Sequence, residues 1–242
     1  MTWRRAPYDR AADEVVAYVR ETYEAVGIVI AGSIVRGEAG PTSDLDVCVV
    51  HEEEWRVREQ KRFAGVPVEI FVNPAAQIRR YFEEEHREGR PCTAHMFATG
   101  EVIEPSAPVI GELVAEAKAW LARPLEVTEA SLTQRRYAIV DTLDDARDVC
   151  GTDAAACALL LAACVHDLVA YAFWSRRRFQ PRRKDAVRAL RSIDERAAAL
   201  VRQWQDASDL GEALLTVEAL AAHVLGAVTF FEWTSPQEPV TR

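Results

Sequence analysis

The chain has 242 residues, room for one large or two small domains at about 100–200 residues each. Apolar residues make up 49% and charged residues 28%, a balance that excludes disorder as the main state. Twenty-nine basic against 38 acidic side chains leave a net charge of −9. That argues against a sequence-blind nucleic-acid binder, whose affinity comes from neutralising phosphates, and suits a cationic small substrate or a metal-dependent acidic site. The longest uncharged apolar run, Ala154 to Val165, is twelve residues and ends at His166 and Asp167. A bilayer needs roughly 18 or more, so neither a transmembrane helix nor a membrane partner is expected. The N-terminal MTWRRAPYDRAADEVV has arginines without a following apolar stretch, unlike a secretory signal. Five cysteines, an odd number without a CxxC pair, predict neither a zinc site nor a disulfide framework and point to a cytoplasmic chain.

In chain order, residues 10–25 carry Val15, Val16, Val19 and Tyr23 at helical spacing, predicting a helix. GIVIAGS, 27–33, predicts a buried strand ending in a turn, and IVRGEAG a short helical or irregular turn. SDLDVCVV, 43–50, predicts a second strand; residues 51–63 read only as a charged stretch. In VPVEIFVNP, 66–74, Val66, Val68, Ile70 and Val72 share one strand face, and Glu69 and Phe71 share the other. A polar helix is expected over 75–88, with Glu83, Glu84 and Glu85 solvated. A small hairpin or edge strand is expected around Gly100, and a helix over 109–122. Beyond Pro124 the composition turns alanine- and leucine-rich, and four helices are expected at 128–150, 153–178, 183–206 and 210–232. Cys150, Cys157 and Cys164 recur every seven residues, which places them on one helical face as small apolar side chains at a seam. Trp120, Trp174, Trp204 and Trp233 fall in apolar patterns and read as core. The expected fold is α+β: an N-terminal mixed-sheet domain over 1–124, a C-terminal helical bundle over 125–235, and a disordered tail over 236–242.

Chemistry concentrates in Gly32-Ser33-Ile34-Val35-Arg36-Gly37 and Ser43-Asp44-Leu45-Asp46. A glycine at a strand end permits a turn and close backbone approach to a ligand. Ser33 adds a hydroxyl and an N–H at a possible helix start, where phosphate oxygens are favoured. Asp44 and Asp46 stand two apart on a strand, so both carboxylates leave one face, roughly 7 Å apart at the backbone. Like charges on an otherwise apolar strand are costly unless a cation lies between them. Oxygen donors without His or Cys nearby select Mg²⁺ or Mn²⁺. If the 66–74 strand pairs with the 43–50 strand, Glu69 converges on the same spot, and three carboxylates can hold two metals. Ser43 reads as a turn residue bonding the backbone near Asp46.

The pattern Gly32-Ser33-x-x-Arg36-Gly37 … Ser43-Asp44-x-Asp46, with Glu69 downstream, resembles the nucleotidyltransferase motif of the DNA polymerase β superfamily. It fixes seven positions in fifteen residues. In layout alone the helical half is similar to small-molecule members such as kanamycin and other aminoglycoside nucleotidyltransferases. The resemblance implies that Gly32 and Ser33 hold a triphosphate, that Asp44 and Asp46 bind both metals, and that Glu69 binds one metal or acts as base. It implies two Mg²⁺ ions, or Mn²⁺, with ATP or another NTP as co-substrate. A small-molecule hydroxyl would be the acceptor. Arg36 is read two ways, as a phosphate contact or as half of a local ion pair. The basic residues Arg176, Arg177, Arg178, Arg182, Arg183, Lys184, Arg188 and Arg191 surround Pro181. They read as a solvated face, with the alternative that Lys184 reaches the triphosphate. His166 and Asp167 read as a hydrogen-bonded core pair or as polar groups facing a cleft. Asp141, Asp144, Asp145 and Asp148 read as a solvated face or as an acidic wall and base for a polycationic acceptor. Two other functions stand beside the small-molecule enzyme: an antitoxin-like module of the same superfamily that adenylylates a partner protein, and a nucleotide-binding protein without catalysis. The acceptor, the base of the nucleotide and the oligomeric state are not legible.

Overall fold

The structure is a computed structural model, and it describes residues 3–103, 105–226 and 228–237. It divides into two compact units, Met1–Pro124 and Leu125–Arg242. Part of the tail expectation, residues 238–242, lies outside the described residues.

The first unit is α+β. It opens with helix α1 (Tyr8–Thr22), followed by strands β1 (Gly27–Ala31), β2 (Leu45–His51), β3 (Val57–Phe63) and β4 (Val66–Pro74). Helices α2 (Ala75–Arg87) and α3 (Cys92–Thr99), short strand β5 (Glu101–Ile103) and helix α4 (Pro108–Ala122) complete it. The sheet order is β3-β4-β2-β1-β5. β2 and β4 are parallel, while the β1–β2, β1–β5 and β3–β4 pairs are antiparallel. A sheet with helices on both sides must be apolar on both faces. β1 accordingly is buried throughout, and β2 is buried at every position but Asp46. On one side Ala11, Ala12, Val15 and Val19 of α1 pack on Ile30, Val47, Val49 and Ile70. On the other, Val29, Cys48 and Val50 meet Ile78 and Phe82 of α2, Phe97 of α3, and Ile110 and Leu113 of α4.

Two expectations are corrected here. The charged stretch 51–63 contains a strand, β3, whose residues are nearly all exposed. As an edge strand it needs no apolar alternation, and its charges keep the open edge from pairing with other chains. It returns to β4 through Ala64 and Gly65, at φ of 46° and 82°, the two-residue hairpin turn with both φ angles positive. The expected edge strand follows Gly100 as β5, with no hairpin, but the residues before it, 92–99, form a helix. Its first turn is held from outside: Thr93 donates its N–H to Glu85 Oε2 at 2.6 Å and its hydroxyl to Oε1 at 2.7 Å. Glu85 is thus a cap supplied by the preceding helix, not merely a solvated acid.

The second unit is helical among its described residues. It comprises α5 (Glu129–Val149), α6 (Ala154–Trp174), a 3₁₀ turn at Arg183–Asp185, α7 (Ala186–Ile193), α8 (Glu195–Gln205) and α9 (Leu210–Leu225). Thr128, Asp153, Asp194 and Asp209 cap α5, α6, α8 and α9 with side-chain oxygens. The helix expected over 183–206 is broken at Asp194, whose cap bond to the Ala197 N–H begins a new helix. The one expected over 210–232 ends at Leu225, because Gly226 turns left-handed at φ 79°. Leu143, Leu161, Leu168, Leu190, Val217 and Leu220 form its core. By length and composition α6 alone among the described helices would pass for a membrane span, but Leu161, Leu168 and Ala172 lie in that core. Cys157 and Cys164 share its buried face, whereas Cys150 follows the end of α5. His166 and Asp167 are exposed on α6, which removes the core-pair reading.

Candidate active site

The site grows from one row across the first unit's sheet. Register places Ala31 beside Asp46, Asp46 beside Glu69, and Glu69 beside Gln60. Direct cross-strand neighbours point to the same face. Asp46 and Glu69 therefore emerge together, beyond the apolar patch that carries Cys48 and Val50. Asp44 stands one residue before β2 rather than on it, yet its carboxylate joins the others. One oxygen from each of Asp44, Asp46 and Glu69 lies within 4.8 Å of the other two.

Gly32 ends the neighbouring strand at φ 96°, and a Cβ there would fall 2.6 Å from Asp46 Oδ2. A glycine is required both for the turn and for room beside the carboxylate. Residues 33–37 close as successive turns, with Gly37 N donating to Ile34 O and Glu38 N to Ser33 O. This run of turns is not the start of a helix. Ser33 Oγ lies 2.9 Å from Ser43 Oγ, and Ser43 Oγ accepts the Gly40 N–H at 2.8 Å. Ser43 thus ties the loop to itself at Gly40, not near Asp46 as the sequence suggested. Arg36 donates to Glu38 at 3.3 Å, the local ion-pair alternative.

Burial raises Asp46 most, and the charges of Asp44 and Glu69 add to it; Arg36 and Arg58 oppose the rise, leaving the group pushed up to about 6. Like charges crowded without full compensation are typical of functional sites. Glu69 is better served. Arg58 Nη2 donates to its Oε2 at 2.7 Å, and Gln60 Nε2 donates to Oε1. Sequence reading missed both residues because it missed their strand. Had Ala64-Gly65 been taken as a hairpin turn, counting outward would have set Gln60 opposite Glu69. A cleft of about 440 Å³ adjoins the acids, lined by Asp44, Gln60, Lys61, Arg62, Pro67, Val68 and Glu69. Three hard oxygen donors at this spacing, one of them pushed up to about 6 by burial and by its two acidic neighbours, fit Mg²⁺ or Mn²⁺.

The remaining candidates belong to the second unit. Lys184 is exposed in the 3₁₀ turn. Around it Arg182 and Arg188 pair with Asp185, and Arg176 with Asp194. Asp144 pairs with Arg147 at 2.5 Å, while Asp141, Asp145 and Asp148 are exposed.

Residues 12–93, the stretch that holds all three acids, match the sequence family described as nucleotidyltransferase domain. That stretch lies wholly within the first unit, which over it is similar to a nucleotidyltransferase domain. Among solved structures, a nucleotidyltransferase-like protein from Exiguobacterium sibiricum superposes with a TM-score of 0.53. It is 12% identical, and the match covers 89% of this chain and 75% of that one; at that identity the likeness speaks for the fold. No curated protein matches the chain.

Proposed function

We propose that the protein transfers a nucleoside monophosphate, AMP from ATP in the first instance, to a hydroxyl of a small cationic acceptor of the aminoglycoside kind. The observation that carries the reading is the convergence of Asp44, Asp46 and Glu69 beside the Gly32 turn, within a domain of nucleotidyltransferase type. In the reaction the acceptor oxygen forms a bond to the α-phosphorus, the bond from that phosphorus to the β-phosphate bridging oxygen breaks, and pyrophosphate leaves. The acceptor proton passes to a carboxylate, with Glu69 as the candidate within the first unit. Asp44, Asp46 and Glu69 would hold Mg²⁺ or Mn²⁺, which supplies charge neutralisation for the phosphates. Gly32 and Ser33 lie where the triphosphate would meet the acids, and the net charge of −9 suits a cationic acceptor.

The test is incubation with Mg²⁺, labelled nucleoside triphosphates and a panel of small alcohols and aminoglycosides. Pyrophosphate release that requires a small hydroxyl compound supports the proposal. Label on a protein would replace it with a protein-modifying activity, and nucleotide binding without turnover with a sensor. Full activity in an Asp44→Ala, Asp46→Ala double variant would refute every version that uses the acids.

A further inference from the structure

Edge strand β3 carries two polar side chains that the chemistry above does not use. The register sets Gln60 opposite Glu69 and Arg58 opposite Phe71. The Arg58 guanidinium lies over the Phe71 ring, 4.9 Å from its centroid, and donates from Nη2 to Glu69 Oε2 at 2.7 Å. Gln60 Nε2 donates to the other oxygen. Each carboxylate oxygen is therefore held by a different donor, and two donors from one strand fix both the place and the plane of the group. The ring in turn restrains the guanidinium. An ionised carboxylate accepts about four hydrogen bonds, so both oxygens keep acceptor capacity, and one of them lies within 4.8 Å of an oxygen of Asp44 and of Asp46.

Stability does not explain this arrangement. Arg58 is 61% exposed, and an ion pair so placed is worth about 0–1 kcal/mol at most. Orientation does explain it, since hydrogen bonds to a metal-ligating carboxylate fix the direction of its lone pairs.

We infer that Arg58 and Gln60 are positioning residues that hold Glu69 as a ligand for the divalent cation of the acid trio. This rests on the reading of that trio as the cation site. The competing role is plain charge balance, and the two roles differ in sign. If Arg58 only offsets negative charge, its removal leaves the trio more negative and tightens divalent binding, and Gln60, being neutral, does not matter. If the pair positions Glu69, removing either one weakens binding, even though Arg58→Met leaves the more favourable charge.

The experiment titrates the full-length protein with Mn²⁺ alone and follows free Mn²⁺ by electron paramagnetic resonance, so no acceptor and no turnover are needed. Both substitutions are at exposed positions, and circular dichroism verifies the fold. Gln60→Leu and Arg58→Met should each weaken Mn²⁺ binding about 10-fold or more, and Arg58→Lys should recover part of the loss. Affinity within twofold of wild type in Gln60→Leu, or unchanged or tighter binding in Arg58→Met, overturns the inference while the cation site stands. Wild-type protein that binds no Mn²⁺, or binds it as well after Asp46→Asn, overturns the function proposed above and this inference with it.

Discussion

Asp46 in the first unit and Asp194 in the second are both carboxylates drawn out of water, and the chain treats them oppositely. The Asp194 side chain is only 6% exposed. Burial pushes it up, but the Ala197 N–H at 2.9 Å, His223 Nε2 at 2.9 and 3.1 Å, and Arg176 at 2.6 Å outweigh burial and hold it below the usual carboxylate range. At Asp46 burial and two neighbouring acids raise the group to about 6, and Arg36 and Arg58 only soften the rise. A carboxylate with every oxygen served is fastening structure; here it splits one helix into α7 and α8 and ties their junction to Arg176, just past the end of α6, and to His223 of α9. A carboxylate raised by burial and by acidic neighbours is the kind of group that functional sites collect, and on the function proposed above a divalent cation would relieve it. The contrast says where substitution should damage chemistry and where it should damage the fold.

The largest effect expected is on turnover. Asp46→Asn keeps the shape and removes the charge, so metal-dependent pyrophosphate release should fall by about 10³-fold or more, roughly 4 kcal/mol of barrier. Next comes Asp194→Ala, which strands Arg176, His223 and the first turn of α8 together. Breaking one partner from such a buried set costs about 3 kcal/mol, a fall in Tm of roughly 5–10 °C for a chain of this size. Thermal unfolding followed by circular dichroism measures it. Should Asp194→Ala melt with wild type while Asp46→Asn unfolds the protein, the assignment of roles would be reversed.

A third prediction sharpens the contrast through pH. A carboxylate raised in the folded state binds its proton more tightly there than in the unfolded chain. Asp46 therefore opposes folding at all pH values above about 6, and the penalty fades as pH falls from about 6 to about 4. In metal-free buffer at pH 7, Asp46→Asn should be more stable than wild type by about 1–3 kcal/mol, and the gap should close by about pH 4. Asp194, lowered in the folded state, runs the other way: its contribution is full above the ordinary value near 4 and is lost on acidification below it. Urea midpoints of the two variants from about pH 7 down to about pH 2.5, read against wild type, check both signs: the Asp46 gap closes between about 6 and 4, and the Asp194 gap closes only below about 4. Saturating Mn²⁺ should reverse the order of wild type and Asp46→Asn, because only the wild type gains binding free energy.

What was legible in the sequence follows the same division. β1, β2 and β4 announce themselves because strands buried on both faces must be runs of β-branched residues, and Asp46 stands out for interrupting one. The turn at Gly32 and the two aspartates are local in sequence, so their convergence could be read from spacing. β3 could not be read from hydrophobicity, since an edge strand has nothing to bury and Arg58, Gln60 and Arg62 face water. Its signal was the Ala64-Gly65 turn. The break at Asp194 was hidden for another reason: α7 and α8 continue one amphipathic pattern, and the residue that separates them takes its meaning from Arg176 and His223, 18 and 29 positions away. The helix over 92–99 depends likewise on Glu85, a cap on the preceding helix, eight residues before the Thr93 that it holds.

The smallest effect tests whether local pairing by itself makes an acid structural. Asp185 also accepts two arginines, Arg182 and Arg188, each at 2.6 Å. Arg188, however, is 79% exposed and three residues along the same segment, so water competes for its guanidinium and little order is lost when it leaves. Arg188→Ala should shift stability by less than about 0.5 kcal/mol, and the shift should vanish in 0.5 M NaCl, where exposed charges are screened. A loss comparable to that of Asp194→Ala would mean that pairing alone sets the stability of this unit. A negligible one, beside a large loss at Asp194, assigns the difference to desolvation of the acid and to the helix start that it caps.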